Sequence, residues 1–316
     1  RLKKIFLVTG LIMAFVLFQI ARFFARRLLV PVEELDRGIS RMRVRDFDYH
    51  IAYRSEDEFG DLITTFNNTL AGMKELAVGT AVQESLLPEG RFSGGCTRLF
   101  ARSLFMSKMG GDYFDYYPLP ENRLGIFFGD VAGHGIPAAM IMAMVKAVIA
   151  AADKTMANPP QLLCSANQML LELKKRNWRR MMTAICFDFN LVTGEFTFAN
   201  AGHCYPAVVA ADGHGACLLE NGGMPLGSSG KKLPTSFTGR LQPGETLILF
   251  TDGVIEAVGS SGEQYGYERF ISLCQTSWHP DLETFWQRII AGYRGWAICQ
   301  DDDLTFLLLR LEAEDV

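Results

Sequence analysis

Ile5–Phe24, IFLVTGLIMAFVLFQIARFF, is the stretch that most restricts what this chain can become. Its twenty residues carry one charge, Arg22, near the end. At ~1.5 Å rise per residue a helix of that length spans roughly 30 Å, the hydrocarbon thickness of a bilayer. Arg22 is placed to snorkel to the interface. A secretory signal has a shorter apolar centre and a small-residue cleavage site, and neither is present. Residues 1–24 are therefore expected to hold a transmembrane helix with its flanks. Basic residues lie on both sides (Arg1, Lys3 and Lys4 before, Arg22, Arg26 and Arg27 after), so charge bias does not orient it. The cysteines do: seven, an odd number without C-x-x-C, do not read as a disulfide framework. A reducing cytoplasm is the expected setting for the residues on the C-terminal side of the span. The chain starts at Arg1 rather than Met, so a sensor portion is expected upstream.

After Pro31, Val32, Leu35, Ile39 and Met42 recur at spacings of 3, 4 and 3. The period is lost over Arg43–Ser55, a connector. It returns after Asp57-Glu58-Phe59-Gly60 as a seam of Leu62, Phe66, Thr69, Met73 and Leu76, at heptad spacing. Two short amphipathic helices must cover their seams, and a parallel dimeric four-helix bundle does so. Pro31 and the D-E-F-G-D-L opening of the second helix make residues 25–76 resemble a HAMP domain. The heptad continues weakly through Thr80, Gln83 and Leu87. Polar seam positions weaken a coiled coil but permit alternative registers, so residues 77–91 read as a linker or switch helix. Homodimerisation through HAMP and this linker is expected.

Residues 92–316 form the remaining domain. Strand-like runs are Leu99–Phe105, Tyr113–Leu119, Arg123–Gly129, Met181–Asn190, Glu195–Ala199, Pro206–Ala210, Ala216–Glu220, Thr246–Thr251 and Leu304–Leu311, with hairpin turns at Glu121-Asn122 and Thr193-Gly194. Two helices are expected, Ile136–Ala152 with Pro137 in its first turn, and one opened by Pro159-Pro160. The pattern predicts an α+β architecture, two packed antiparallel sheets flanked by helices. With 49% hydrophobic residues the chain can bury a sizeable core, and a net charge of -4 gives it no basic surplus for nucleic acid.

Four acidic turns stand at predicted strand ends: Asp112 in MGGDYFD, Asp130 in GDVAGHG, Asp252 in TDG, and Asp302 within Asp301–Asp303. Carboxylates brought to one sheet edge repel one another unless a cation neutralises them. Carboxylate, carbonyl and water ligands favour Mg²⁺ or Mn²⁺, and no His/Cys pair has zinc spacing. Two such ions can activate water and clamp a phosphoryl group. Singly, each Asp has a structural explanation, since T-D-G is a common hairpin turn and a tripled Asp a common solvated loop.

In order, M-G-G-D-Y-F-D, G-D-V-A-G-H-G-I-P-A-A-M, N-A-G-H-C-Y-P, L-Q-P-G-E-T-L-I-L-F-T-D-G-V-I-E-A and D-D-L-T-F-L-L-L-R resemble the motifs of PP2C-type (PPM) serine/threonine phosphatases of the bacterial SpoIIE/RsbU branch. Q-E-S-L-L-P at Gln83–Pro88 resembles the helix leading into that branch's catalytic domain. The arrangement also resembles membrane-anchored HAMP phosphatases of the SiaA kind. The resemblance implies an αββα sandwich with two Mn²⁺ or Mg²⁺ ions. Asp130 would bridge them, the Val131 carbonyl would bind one, and Asp112, Asp252 and Asp302 would complete the set. Asp302 rather than Asp303 matches the first Asp of the family's D-D-x-T pattern, and Asp301 makes this assignment ambiguous in register, so Asp301 and Asp303 stay alternatives. Asp115 would stand behind the site or hold a transient metal, and Gly133 and Gly135 would shape the turn. His134 would donate a proton or brace that turn, Asn200 and His203 would support the site, and Arg102 would contact phosphate. Ala101–Lys108 keeps the A-R of this branch but lacks its usual Pro-Ala. The implied substrate is a phosphorylated STAS-domain, anti-anti-sigma-like regulator, and the implied location a bacterial inner membrane with the catalytic domain in the cytoplasm.

Three rivals have sequence support. Cys96 and Arg102 fit the C-x₅-R of cysteine-dependent phosphatases, but Thr97–Ala101 has no glycine to form a phosphate cradle. Gly110-Gly111-Asp112 after a HAMP-like block fits a diguanylate cyclase, but continues Tyr-Phe where that family has Glu-Phe. An inactive scaffold binding a phosphoprotein would not need the acidic residues.

Overall fold

The computed structural model describes residues 1–106, 109–152, 158–228, 234–298, 300 and 302–312. The chain divides into two compact units, Arg1–Gly79 and Thr80–Val316.

In the first unit, α1 (Leu2–Phe24) is long and apolar enough to cross a membrane, and none of its residues is buried. A π-helical turn, Ala25–Leu29, joins it to α2 (Val30–Arg43). Pro31 accounts for the irregularity. It offers no N–H to the turn before it, and its ring crowds the carbonyl four residues back, which a widened turn accommodates. The connector is held by Ile51, 1% exposed. Asn67 of α3 (Glu58–Leu86) clamps the Ile51 backbone, accepting from its N–H and donating to its carbonyl at 3.0 Å each. Gly38 permits the close approach, because a Cβ there would lie 2.7 Å from Phe66 and 2.9 Å from Ile51.

Within one chain α3 buries Ile63 and Leu70, which are not the heptad seam. The seam residues Leu62 and Leu76 stay 50% and 38% exposed. The helix thus has two apolar faces, one used inside the chain and one left open.

The second unit takes the last turns of α3 and eleven strands. In chain order these are β1 (Arg91–Gly94), β2 (Thr97–Leu104), β3 (Tyr113–Leu119), β4 (Arg123–Val131), β5 (Met182–Asn190), β6 (Glu195–Ala201), β7 (Ala207–Val209), β8 (Ala216–Leu218), β9 (Ser236–Arg240), β10 (Thr246–Phe250) and β11 (Leu304–Leu311). One sheet runs β1-β2-β11-β10-β7-β8 and the other β3-β4-β5-β6-β9, with every strand pair antiparallel. Strand alternation separates the layers. Leu124, Ile126 and Phe128 of β4 enter the core between the sheets with Leu247, Leu249, Leu307 and Leu309. The intervening Phe127, with Val131, packs under α4 (Ile136–Ala151) and α5 (Pro159–Lys175).

Two further helices, α6 (Gly266–Ser277) and α7 (Leu282–Trp296), cover the other sheet. The expectation of two helices therefore falls short by two, and β1 and β9 were also missed. The predicted layering of two sheets between helices stands. Antiparallel pairing places the start of β3 and the end of β4 at one rim. It places the end of β10 and the start of β11 together in the facing sheet.

Candidate metal centre

Asp112 lies one residue before β3 and is 1% exposed. Thr251 Oγ1, one residue after β10, donates to Asp112 Oδ2 at 3.1 Å and so ties the two sheets together. Thr305 N–H in turn donates to Thr251 Oγ1 at 3.0 Å. Asp130 stands opposite Thr183 near the end of β4. Asp252 opens a single 3₁₀ turn, and its Oδ1 is buried without a hydrogen-bond partner. Asp302 is exposed, and its Oδ1 accepts from the Asp303 N–H at 2.8 Å.

These carboxylates perturb one another. Burial first, then the charge of Asp130, pushes Asp112 well above the usual carboxylate range. Burial, then Asp252 and Asp302, raises Asp130 to about 7, while a hydrogen bond with Asp112 opposes the rise. Burial, then Asp302 and Glu256, raises Asp252 to about 6. Among the described residues no ion pair reaches any of the four. A group of carboxylates held together without a cation is destabilised by repulsion, which a divalent ion would cancel.

The donors fit a hard, hydrated cation. A Cβ at Gly111 would meet the Val131 carbonyl at 2.5 Å and Asp130 Oδ1 at 3.0 Å, so glycine leaves both oxygens accessible from the same side. Among the described residues no three His, Cys, Asp or Glu side chains converge closely enough to enclose an ion by themselves. Carbonyl and water ligands would complete the shell, as is usual for Mg²⁺.

The turn after Asp130 needs its glycines. Gly133 has φ +88° and Gly135 φ +79°. Arg180 Nη1 donates to the Ala132 carbonyl at 2.5 Å, and a Cβ on Gly133 would collide with that nitrogen. His134 is exposed; burial raises the pKa of Asp303, and the Met106 N–H, with smaller help from nearby His134, opposes the rise.

Asn200 and His203 form a single device. Asn200 Oδ1 accepts from His203 N–H at 2.7 Å, and Asn200 Nδ2 donates to His203 O at 3.0 Å. The His203 ring is buried with its Nδ1 2.8 Å from Thr183 Oγ1, and burial lowers its pKa to about 4. It is neutral at physiological pH and braces Thr183, the partner of Asp130 across the β4–β5 ladder.

Other expected site residues lie elsewhere. Asp115 accepts from Tyr113 OH at 2.7 Å and Lys146 Nζ at 3.0 Å, tying β3 to α4. Both its oxygens are engaged away from the cluster, because Oδ1 takes the Tyr116 N–H. The Arg102 guanidinium stacks 5.0 Å over Trp286 of α7, on the face of β2 turned from the other sheet. Ser107, Lys108 and Asp301 fall outside the described residues.

The C-x₅-R reading fails on distance: six positions along an extended strand separate Cys96 from Arg102 by roughly 20 Å. The cyclase hairpin fails on topology, since Gly110-Gly111-Asp112 lies between β2 and β3, strands of different sheets.

Asp303, weighed in sequence against Asp302, and residues given no site role there also matter here. Asp303 is 4% exposed and accepts from Met106 N–H at 2.7 Å, which ties Met106 to the start of β11. Thr251, Thr305 and Arg180 position the acids or the turn. The first two had a signal, each sitting inside a family-like motif beside an Asp. Gln83, 4% exposed, donates from Nε2 to the Gly110 carbonyl at 2.7 Å.

Comparison with known proteins agrees with this fold. Residues 120–312 match the family model described as Stage II sporulation protein E (SpoIIE), and residues 23–75 match the HAMP domain. Phosphoserine phosphatase RsbU of Bacillus subtilis is 28% identical over 201 residues, covering 62% of this chain and 59% of RsbU. Protein IcfG of Synechocystis is 24% identical over 325 residues, covering 88% of this chain and 50% of IcfG. The chain thus spans about half to three fifths of the length of these curated relatives. Among solved structures, the SiaA-PP2C domain of Pseudomonas aeruginosa has a TM-score of 0.66 at 21% identity, covering 78% of this chain and 99% of that one. The RsbU and RsbW domains of a Mycobacterium tuberculosis protein give 0.59 at 27% identity, covering 69% of this chain and 60% of that one. The chain belongs to the SpoIIE family of PP2C-type phosphatases, with a HAMP domain preceding its sandwich.

Proposed function

We propose that this chain is a membrane-anchored, metal-dependent protein phosphatase that removes phosphate from serine or threonine of a STAS-domain regulatory protein. The observation that carries this reading is the approach of Asp112, Asp130, Asp252 and Asp302 at one rim, where burial and neighbouring carboxylates raise the pKa of the first three. Two Mn²⁺ or Mg²⁺ ions would be held by these residues and the Val131 carbonyl, with Asp130 shared between them. Bound there, they would supply an activated water and positive charge for a phosphoryl group. The protein's own contribution is to hold the acids in place. Thr251 fixes the Asp112 carboxyl, Arg180 fixes the turn that aims the Val131 carbonyl, and the Asn200–His203 unit backs Thr183. In this reading exposed His134 protonates the departing seryl oxygen or braces the turn after Asp130.

The domain division we propose is a membrane span in 1–24, HAMP in 25–76, a switch helix in 77–91 and the phosphatase domain in 92–316. The bare apolar surface of α1 supports insertion in a membrane, in this reading a bacterial inner membrane with the phosphatase domain in the cytoplasm. The open seam of Leu62 and Leu76 supports a homodimer. In this reading HAMP movement alters the switch helix and so completes the metal site. The Gln83–Gly110 hydrogen bond supports that coupling, since Gly110 lies two residues from Asp112. Substitutions at Met73 or Leu76 should then change activity without touching a metal ligand.

The deciding experiment is dephosphorylation of phosphorylated STAS-domain proteins with and without Mn²⁺, comparing the unaltered chain with Asp130→Ala. Turnover that needs Mn²⁺ and is lost in the variant supports the reading. Metal-independent turnover or an unaffected variant refutes the mechanism.

A further inference from the structure

Beside the acidic rim lies a surface that the chemistry leaves unused. Ala132 N–H donates to the Met181 carbonyl at 2.9 Å, and Met182 and Leu226 exchange both backbone hydrogen bonds at 3.1 and 2.8 Å. These bonds set side by side the turn after Asp130, the approach to β5 and the loop before Gly227. Met182 and Leu226 point into the core, at 0% and 3% exposure. Their neighbours point out: Met181 is 45% exposed, Met224 57%, and Ile136 and Met140, on the first turns of α4, 47% and 49%. Trp178, in the same approach to β5, is 39% exposed.

The adjoining run Lys174–Arg180, KKRNWRR, holds five basic residues and no acid in a chain of net charge -4. Lys174 is occupied with the Gly227 carbonyl, Lys175 with Glu172 and Arg180 with Ala132. Arg176 and Arg179 are exposed and make no ion pair among the described residues. Exposed methionines on adjoining segments, beside arginines that make no ion pair among the described residues, have the composition of an interaction surface, where Met adapts its shape and Arg supplies charge.

We infer that this surface docks the phosphoprotein substrate, through a partner face that is apolar and flanked by Asp or Glu. The inference rests on the phosphatase reading. Its occupant is indicated by continuity with the site and by charge. A protein that brings a phosphoserine to Asp130 must lie across the Ala132–Gly135 turn, and therefore across Met181 and the start of α4. Arg176 and Arg179 then meet the acidic flank, which speeds encounter and excludes basic partners.

The test compares two probes, p-nitrophenyl phosphate, too small to dock, and a serine-phosphorylated STAS-domain protein. The variants are Met140→Asp with Met224→Asp, and separately Arg179→Glu, all at exposed positions. Hydrolysis of p-nitrophenyl phosphate should stay within about twofold, while kcat/KM for the phosphoprotein falls at least about tenfold, mainly through KM. Arg179→Glu should also flatten the salt dependence of that KM. Equal losses on both probes, or no loss on the phosphoprotein, would overturn the docking surface. Hydrolysis of p-nitrophenyl phosphate but not the STAS phosphoprotein by the unaltered chain would overturn the partner class. Failure of the unaltered chain on both probes with Mn²⁺ present would overturn the phosphatase reading beneath it.

Discussion

Replacing Asp130 with Asn should remove activity and yet stabilise the metal-free protein. Burial and neighbouring carboxylates raise Asp130 to about 7. The folded state therefore holds its proton where the unfolded chain has lost it, and stability falls as pH rises from about 4 to about 7. A displacement of about 3 pH units, at about 1.4 kcal/mol each, is worth about 4 kcal/mol above pH 7. Asn keeps the shape and carries no charge. Because Asp112, Asp252 and Asp302 continue to repel one another, about half of that, ~2 kcal/mol, should be recovered. For a domain of this size it corresponds to a melting temperature higher by roughly 4–8 °C. The assay is thermal unfolding in EDTA at pH 8 and near pH 4, where the difference should vanish. Adding Mn²⁺ at pH 8 should reverse the order, since the unaltered protein gains about 2.7 kcal/mol at a hundredfold excess over Kd. A variant less stable than the parent by the same amount at both pH values would refute the picture of a repelled carboxylate.

Gly133→Ala places a side chain at φ +88° and against Arg180, so activity should fall about 100-fold while the domain stays folded, measured by turnover and circular dichroism. His203, held near pKa 4 by burial, should contribute a loss of about 3 kcal/mol as pH falls from 6.5 to 4, opposing the gain from protonating Asp112 and Asp252. Adding His203→Gln to the Asp130→Asn background should remove that loss, so the double variant should gain on the single one as pH falls in the same unfolding titration. Gln83→Ala deletes a buried hydrogen bond to Gly110, so the Mn²⁺ concentration for half-maximal activity should rise several-fold.

The acidic rim was readable because each Asp stands at a strand end within a compact motif, and antiparallel topology does the rest. Its supports were less so. Whether an arginine reaches the rim depends on which strand face it occupies and on loop paths. Arg102 turns toward α7, while Arg180, outside the family-like motifs, reaches the turn. Asp115 shares a motif with Asp112, but Lys146 of α4 claims it, a partner thirty-one residues away. The missed α7 did carry a helical signal: its buried residues Leu282, Phe285, Trp286, Ile289, Ile290 and Tyr293 have spacings of 3, 1, 3, 1 and 3. Its β-branched and aromatic residues and Gly292 have weak helix propensity, and packing on the sheet outweighs that. In the HAMP region the heptad marked the open face of α3. The face buried within the chain is set by Ile51, a connector residue that no helical period marks.

The π-helical turn ahead of Pro31 has a mechanical consequence. A π turn takes up about one residue more than an α turn, so the faces of α2 are rotated by roughly 100° from where an unbroken α-helix leaving α1 would place them. Residues 25–29 thus work as a coupling with a built-in angular offset. The azimuth of the apolar helix α1 and the azimuth at which α2 meets Ile51 are indexed to each other through Pro31. A one-residue deletion in this turn would re-index the two helices without altering a single contact within either.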